Sequence, residues 1–300
     1  MGDDQIWHSA NITPDLPTRD DIVNACTMAG FNRNGICIQV AGEHRCWVKY
    51  GRPSVIRAEG RTQAHVAGIV NANPASVVRV PEVYLGFSRG KWGYIVMDFV
   101  QGTTLANRKS PRGNYYKDDI KAVAAAVKQL TDIKMPANTA PGPVGGGLIG
   151  HDFFAESLST LTYSTVGQLE AQINRVCFPL ASGSPNLHSR ALVANKVLHM
   201  IGVGLRVDFQ IDTADGMVLC LSDPNDANFM IDDKGNLWAI DFGRTCFLPR
   251  SFMSYSLRRS SDVFVQAVAR RLNYPLSPNL SAMSVASGRL VICNNNTLGK

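Results

Sequence analysis

Three oxygen-bearing side chains are set at fixed intervals in the second half of the chain: Asp223, Asn228 five residues later, and Asp241 thirteen after that. Carboxylate and amide oxygens are ligands that Mg²⁺ takes, with waters and substrate phosphates completing its shell. Short apolar runs lie between the three. Phe229-Met230-Ile231 and Leu237-Trp238-Ala239-Ile240 read as strands, with Asp232-Asp233-Lys234-Gly235-Asn236 as the turn joining them. Such a hairpin places Asn228 at the entry of one strand and Asp241 at the exit of the other, side by side. Asp223 lies on the loop leading in, so three oxygen donors can converge on one point.

The elements that must position this segment come earlier. Two β-rich runs, 36–40 and 45–50, flank a hairpin loop, Gly42-Glu43-His44, and Lys49 closes a strand otherwise rich in apolar residues. A helix from 54 to 72 carries Glu59, the only acidic residue between Lys49 and Glu82. Further strands are expected at 80–86 and 92–97, joined by Ser88-Arg89-Gly90-Lys91. The second runs into Asp98-Phe99-Val100-Gln101-Gly102, a short connector that ends in a helix start.

This ordered set resembles the catalytic segment of the protein-kinase-like superfamily. Its small-molecule branch, the aminoglycoside phosphotransferases and choline kinases, is most similar, and fungal proteins related to the former share the motif. The resemblance implies an α+β, bilobal protein-kinase-like fold: a small β-rich N-lobe over 1–97, a hinge at 98–102 and a larger, mainly helical C-lobe over 103–300. It implies an ATP-dependent phosphotransferase acting on a small-molecule hydroxyl, with Mg²⁺. Asp223 then meets the acceptor hydroxyl, and Asn228 and Asp241 hold the metal. Lys49, held by Glu59, steadies the α- and β-phosphates, and backbone groups of Asp98 and Val100 read the adenine edge. Three departures keep an inactive binding or scaffold member of the fold as the alternative. Leu221 stands two before Asp223, where the family has His. No glycine-rich loop precedes Lys49, since Gly30 and Gly35 are poorly placed. Asp226 adds a carboxylate, read here as a solvated turn residue. Only 57 residues follow Gly243, with no Ala-Pro-Glu element, which favours a small-molecule enzyme over a protein kinase.

Composition bounds the rest. With 300 residues, 45% hydrophobic and 18% charged, the chain can bury a sizeable core in one or two domains. The net charge of +6 is scattered, its densest groups being pairs such as Arg258-Arg259 and Arg270-Arg271, so neither a nucleic-acid nor a membrane patch is expected. Seven cysteines form no C-x-x-C pair, which argues against a disulfide framework or zinc site. The acidic Met1-Gly2-Asp3-Asp4 start and the lack of any ~20-residue apolar run point to a soluble cytoplasmic protein. Residues 1–17 read as an irregular arm. Thr18-Arg19-Asp20-Asp21 forms a capping box opening a helix to about Met28, broken by Gly30 and Asn32-Arg33-Asn34-Gly35. Helices are expected at 118–134, 166–176, 187–201 and 261–272. The Pro/Gly-rich stretch 136–150 reads as a flexible connector, and Asn294-Asn295-Asn296-Thr297 as a fraying tail. His151, His188 and His199 lack metal-ligand spacing. The acceptor and the oligomeric state stay open.

Overall fold

The computed structural model describes residues 5–10, 16–31, 35–39, 45–136, 138–177 and 205–298. The loop 40–44, the helix expected at 187–201, His188 and His199 lie outside them. Thr18 caps the first helix, α1 (Arg19–Met28), in the manner its sequence predicts. Its hydroxyl accepts the Asp21 N–H at 3.2 Å, and the Asp21 carboxylate accepts the Thr18 N–H at 3.2 Å. Around α1 the strands β1 (Gln5–Ser9), β2 (Gly35–Gln39), β3 (Arg45–Gly51), β4 (Val83–Arg89) and β5 (Trp92–Asp98) form one sheet. Its order is β1-β4-β5-β3-β2, antiparallel throughout. Helix α2 (Pro53–Val70) follows β3, with Pro at its first position, where no N–H is needed.

Strict alternation on β3 sorts its side chains. Cys46, Val48 and Tyr50 are buried with Ile22 and Cys26 of α1 and with Phe87, Tyr94 and Val96. Ile95, Met97 and Val83 form a second cluster with Ile56 of α2, against which Trp7 and Trp47 pack. Each large apolar side chain so buried contributes about 1.5–3 kcal/mol. The face that is left for Lys49 and Trp47 is the α2 face.

Then come β6 (Gly102–Thr104), α3 (Lys117–Thr131), β7 (Lys134–Met135), α4 (Val166–Cys177), β8 (Met217–Leu221), β9 (Phe229–Asp232), β10 (Leu237–Ala239) and β11 (Thr245–Leu248). The helices α5 (Arg250–Arg259), α6 (Val263–Leu272) and α7 (Leu280–Ile292) close the chain. Two small antiparallel sheets have the orders β10-β9-β6 and β11-β8-β7. The chain divides into two units, Met1–Ala126 with Asp226–Gly243, and Val127–Asn225 with Arg244–Lys300. The fold is thus α+β, with the five-stranded sheet in the N-terminal part and helices in the C-terminal part. Among the described residues no helix is long and apolar enough to cross a membrane.

Several local expectations are corrected. Within the arm expected to be irregular, Gln5–Ser9 instead adds a strand to the edge of β4. Residues 102–104 form a strand on β9, not a helix start. The helix expected to reach 134 ends at Thr131, and Lys134–Met135 pair with β8. The Pro/Gly-rich stretch is anchored: Gly142 and Phe247 exchange both backbone hydrogen bonds, at 3.0 and 2.8 Å. The tail is tied down by buried Asn296, whose amide accepts from Ala155 N and donates to Leu158 O at 2.9 and 2.7 Å.

Candidate functional site

Lys49 and Glu59 are brought together by adjoining elements. β3 presents Lys49 on its α2 face, and Glu59 lies on the inward side of α2, 3% exposed. Lys49 Nζ is 2.6 Å from Glu59 Oε1 and 2.9 Å from Asp241 Oδ1. Burial alone would push the Lys49 pKa down, but the two carboxylates outweigh it and hold the ammonium above the ordinary lysine value. Burial raises the Glu59 carboxyl, opposed by Lys49 and by a hydrogen bond from the Phe242 backbone. A buried charge pair of this kind is held by geometry that leaves neither partner alone.

Asp241-Phe242-Gly243 has the backbone that this requires. Asp241 adopts φ +60°, a left-handed conformation that Asp tolerates better than most residues, and its Oδ1 accepts the Gly243 N–H at 3.2 Å. Phe242 is buried. A Cβ on Gly243 would stand 3.2 Å from Glu59 Oε2 and 3.3 Å from Asp241 Oδ1, so glycine permits the two carboxylates to meet there.

The hairpin is formed as expected. Ala239 lies opposite Phe229, Leu237 opposite Ile231, and Ile240 N–H donates to Asn228 O at 2.9 Å. That bond sets Asn228 beside the start of the Asp241 segment. Its turn is closed by Asp232, whose carboxylate accepts from Lys234 N, Asn236 N and Trp238 Nε1. Asp226 is not a solvated turn residue. Its carboxylate accepts from Tyr115 Oη at 2.7 Å and pairs with Lys109 at 3.3 Å.

Lys49, Glu59, Asp98, Val100, Asn228 and Asp241 all belong to the first unit, and Asp223 belongs to the second. There Asp223 Oδ1 accepts from Asn225 Nδ2 at 2.7 Å, and its Oδ2 is 3.8 Å from Arg244. Arg244 also pairs with Asp152 at 3.0 Å. Leu221 ends β8 as a buried ladder residue, opposite Thr245. His151 is structural: it is buried, its Nδ1 accepts the Phe153 N–H, and its Nε2 meets Phe252 O and Ser256 Oγ. Burial pushes its pKa down to about 4.

A cavity of about 340 Å³ lies within the first unit, with Lys49, Glu59 and Asp241 at its polar end and Trp47, Met97, Phe99, Met230 and Ile240 among its walls. Asp98 and Val100 line it too. The Asp98 side chain is committed to β4 and the residue before it, accepting from Glu82 N at 2.9 Å and from Tyr84 Oη. No hydrogen bond among the described residues uses the backbone of Val100. The apolar walls escaped the sequence reading, although alternation on β3 puts Trp47 on the same face as Lys49. Among the described residues no group of three His, Cys, Asp or Glu forms a ready-made metal cage.

No family model and no curated protein matches the sequence. Solved structures do. Aminoglycoside phosphotransferase APH(4)-Ia is 12% identical with a TM-score of 0.50, over 90% of this chain and 88% of that one. A spectinomycin phosphotransferase in complex with ADP and spectinomycin is 11% identical with a TM-score of 0.45, over 94% and 78%. A choline kinase from Streptococcus pneumoniae is 11% identical with a TM-score of 0.45, over 89% and 85%. At these identities the likeness is one of fold, and the chain has the protein-kinase-like fold of the aminoglycoside phosphotransferases.

Proposed function

We propose that the protein is an ATP-dependent phosphotransferase acting on a small-molecule hydroxyl. The observation that carries this reading is Lys49, held 2.6 Å from buried Glu59 and 2.9 Å from Asp241 at the polar end of an apolar-walled cavity. The cavity falls within the usual size range of ligand pockets, and its contrast of apolar walls and one charged end suits a flat base with a phosphate tail. Trp47 offers the base an aromatic face, and the Asp98 carbonyl and the Val100 backbone offer its edge hydrogen bonds, the Asp98 N–H being donated to Glu82 O at 3.0 Å. Asn228 and Asp241 supply the amide and carboxylate oxygens that Mg²⁺ accepts. Bound there, Mg²⁺ would neutralise charge across the phosphates. Lys49 donates to the α- and β-phosphates, and Glu59 keeps its ammonium aimed. Asp223 orients the acceptor hydroxyl and takes its proton.

A second reading has its own support. The Asp223 carboxylate is already engaged by Asn225 at 2.7 Å and faces Arg244 at 3.8 Å, and Leu221 replaces the family histidine. Both suit a binding protein of this fold without turnover. Two measurements separate the readings. Millimolar Mg-ATP should raise the Tm, since a ligand at 100 times its Kd stabilises by about 2.7 kcal/mol. Both readings lose ground if the Tm does not move. A panel of hydroxyl- and amine-bearing metabolites is then screened for ADP release, with Asp241→Ala and Asp223→Ala as controls. Release that needs Asp223 establishes the enzyme; binding without release favours the second reading.

A further inference from the structure

The edge strand β1 carries a feature that the site requires and the family motif does not explain. Its pairing with β4 slips: Ile6 faces Phe87 and His8 faces Gly86, so Trp7 is the extra residue of a bulge. A bulge breaks the alternation of a strand and re-aims one side chain. The Trp7 indole enters the groove between α2 and β4, and each of those elements gives it a glycine. A Cβ on Gly60 of α2 would stand 2.5 Å from the indole, and one on Gly86 of β4 would overlap it. Both glycines have φ outside the left-handed range, so space rather than backbone conformation explains them. The indole N–H is buried without a hydrogen-bond partner among the described residues, so the ring is held there by shape. The strand is tied at each side of Trp7. Arg57 of α2 donates to the Gln5 side chain at 2.6 Å, and His8 Nε2–H donates to Val83 O at 2.8 Å.

The groove adjoins the charged end of the cavity. Gly60 directly follows Glu59, and Ile95, which also borders the Gly60 position, pairs opposite Lys49 in the sheet. We propose that Trp7 is a positioning residue for the Lys49–Glu59 pair: by filling the groove it sets the height of α2 on the sheet, and with it the reach of Glu59 to Lys49. This rests on the reading of that pair as the nucleotide's phosphate contact. An emptied groove lets α2 settle toward the sheet or tilt, and a displacement of about 1 Å at a site of this kind can cost about 100-fold in function.

The test compares wild type, Trp7→Ala, Trp7→Phe and Ile6→Ser by amide hydrogen exchange without nucleotide, and by Mg-ATP titration calorimetry. Trp7→Ala should speed exchange in α2 around Glu59–Gln63 while leaving α7 unchanged, and should weaken Mg-ATP binding by about tenfold or more. Trp7→Phe, which refills the groove and gives up no hydrogen bond, should restore both to within about threefold. Ile6→Ser, at an exposed neighbour on the same strand, should change neither. Trp7→Leu carries the same expectation in smaller measure should Trp7→Ala fail to fold. Unchanged α2 exchange in the folded variants overturns the proposal. So does faster exchange with unaltered Mg-ATP affinity. If the wild type binds no Mg-ATP, the nucleotide reading fails by itself, and the exchange of α2 still decides whether Trp7 positions Glu59.

Discussion

At Lys49 the chemistry of the site and the stability of the fold meet. Removing Lys49 strands a carboxylate that is 3% exposed, and breaking a buried pair in this way costs about 3–5 kcal/mol. The cost should depend on pH with a definite sign. Burial already raises the Glu59 pKa, and Lys49 opposes it. Without Lys49 the folded-state pKa rises further above the unfolded value. A group of that kind stabilises fully below its unfolded pKa, about 4.3, and loses that contribution as pH rises through the folded pKa. Lys49→Met should therefore lie near wild type in acid and fall behind toward neutral pH in urea titrations, and adding Glu59→Gln should flatten the difference. A Lys49→Met deficit independent of pH would rule this out. His151 runs the other way. Its folded pKa is held down near 4, so its contribution is present above 6.5 and lost as pH falls toward 4. At about 1.4 kcal/mol per pH unit this amounts to about 3 kcal/mol, which His151→Gln should remove from the acid limb of the stability curve.

Elements show which parts of this fold could be read in advance. The Thr18 capping box and the hairpin around Asp232–Asn236 are local signals, and each is realised where its residues stand. Lys49 and Glu59 were placed by order along the chain, and the structure brings their side chains to 2.6 Å. What escaped depends on distant partners. Gln5–Ser9 is a strand only because β4 offers an edge and Gly60 and Gly86 leave room for Trp7. Residues 102–104 extend because β9 pairs with them. Asp226 looks like an ordinary turn residue until Tyr115, 111 positions earlier, reaches it. The C-terminal turn is the clearest case, since an Asn-rich tail carries no sign of an anchor. Yet Asn296 donates to Ala155 O and Leu158 O and accepts from Ala155 N. Asn296→Ala leaves these buried groups unpaired and should cost about 2–3 kcal/mol in chemical denaturation, against less than about 0.5 kcal/mol for Thr297→Ala in the same turn.

At the scale of the whole molecule, neither unit is a continuous piece of chain. The first takes Met1–Ala126 and then borrows Asp226–Gly243, a loan that includes Asn228 and Asp241. The sheet that supplies Lys49 and the hairpin that supplies Asp241 therefore depend on each other although 192 residues separate the two side chains. β6 pairs with β9, Leu105 N–H donates to Phe229 O at 2.9 Å, and Ala106 N–H donates to Asp226 O at 3.0 Å. A fragment ending at Ala126 keeps Lys49, Glu59, Trp47 and the five-stranded sheet, but it loses all three of these ties and the second carboxylate beside Lys49. It also exposes cavity walls that Met230 and Ile240 complete. The fragment should consequently melt broadly by circular dichroism and bind Mg-ATP at least about 100-fold more weakly than the full chain in calorimetry, a loss of about 2.7 kcal/mol. Fusing 226–243 to the fragment through a flexible linker should recover part of that affinity, because the hairpin then binds at high effective concentration. A fragment that holds Mg-ATP as tightly as the intact protein would show instead that the Lys49 sheet is a complete nucleotide site, and that the Asp241 hairpin serves only later steps.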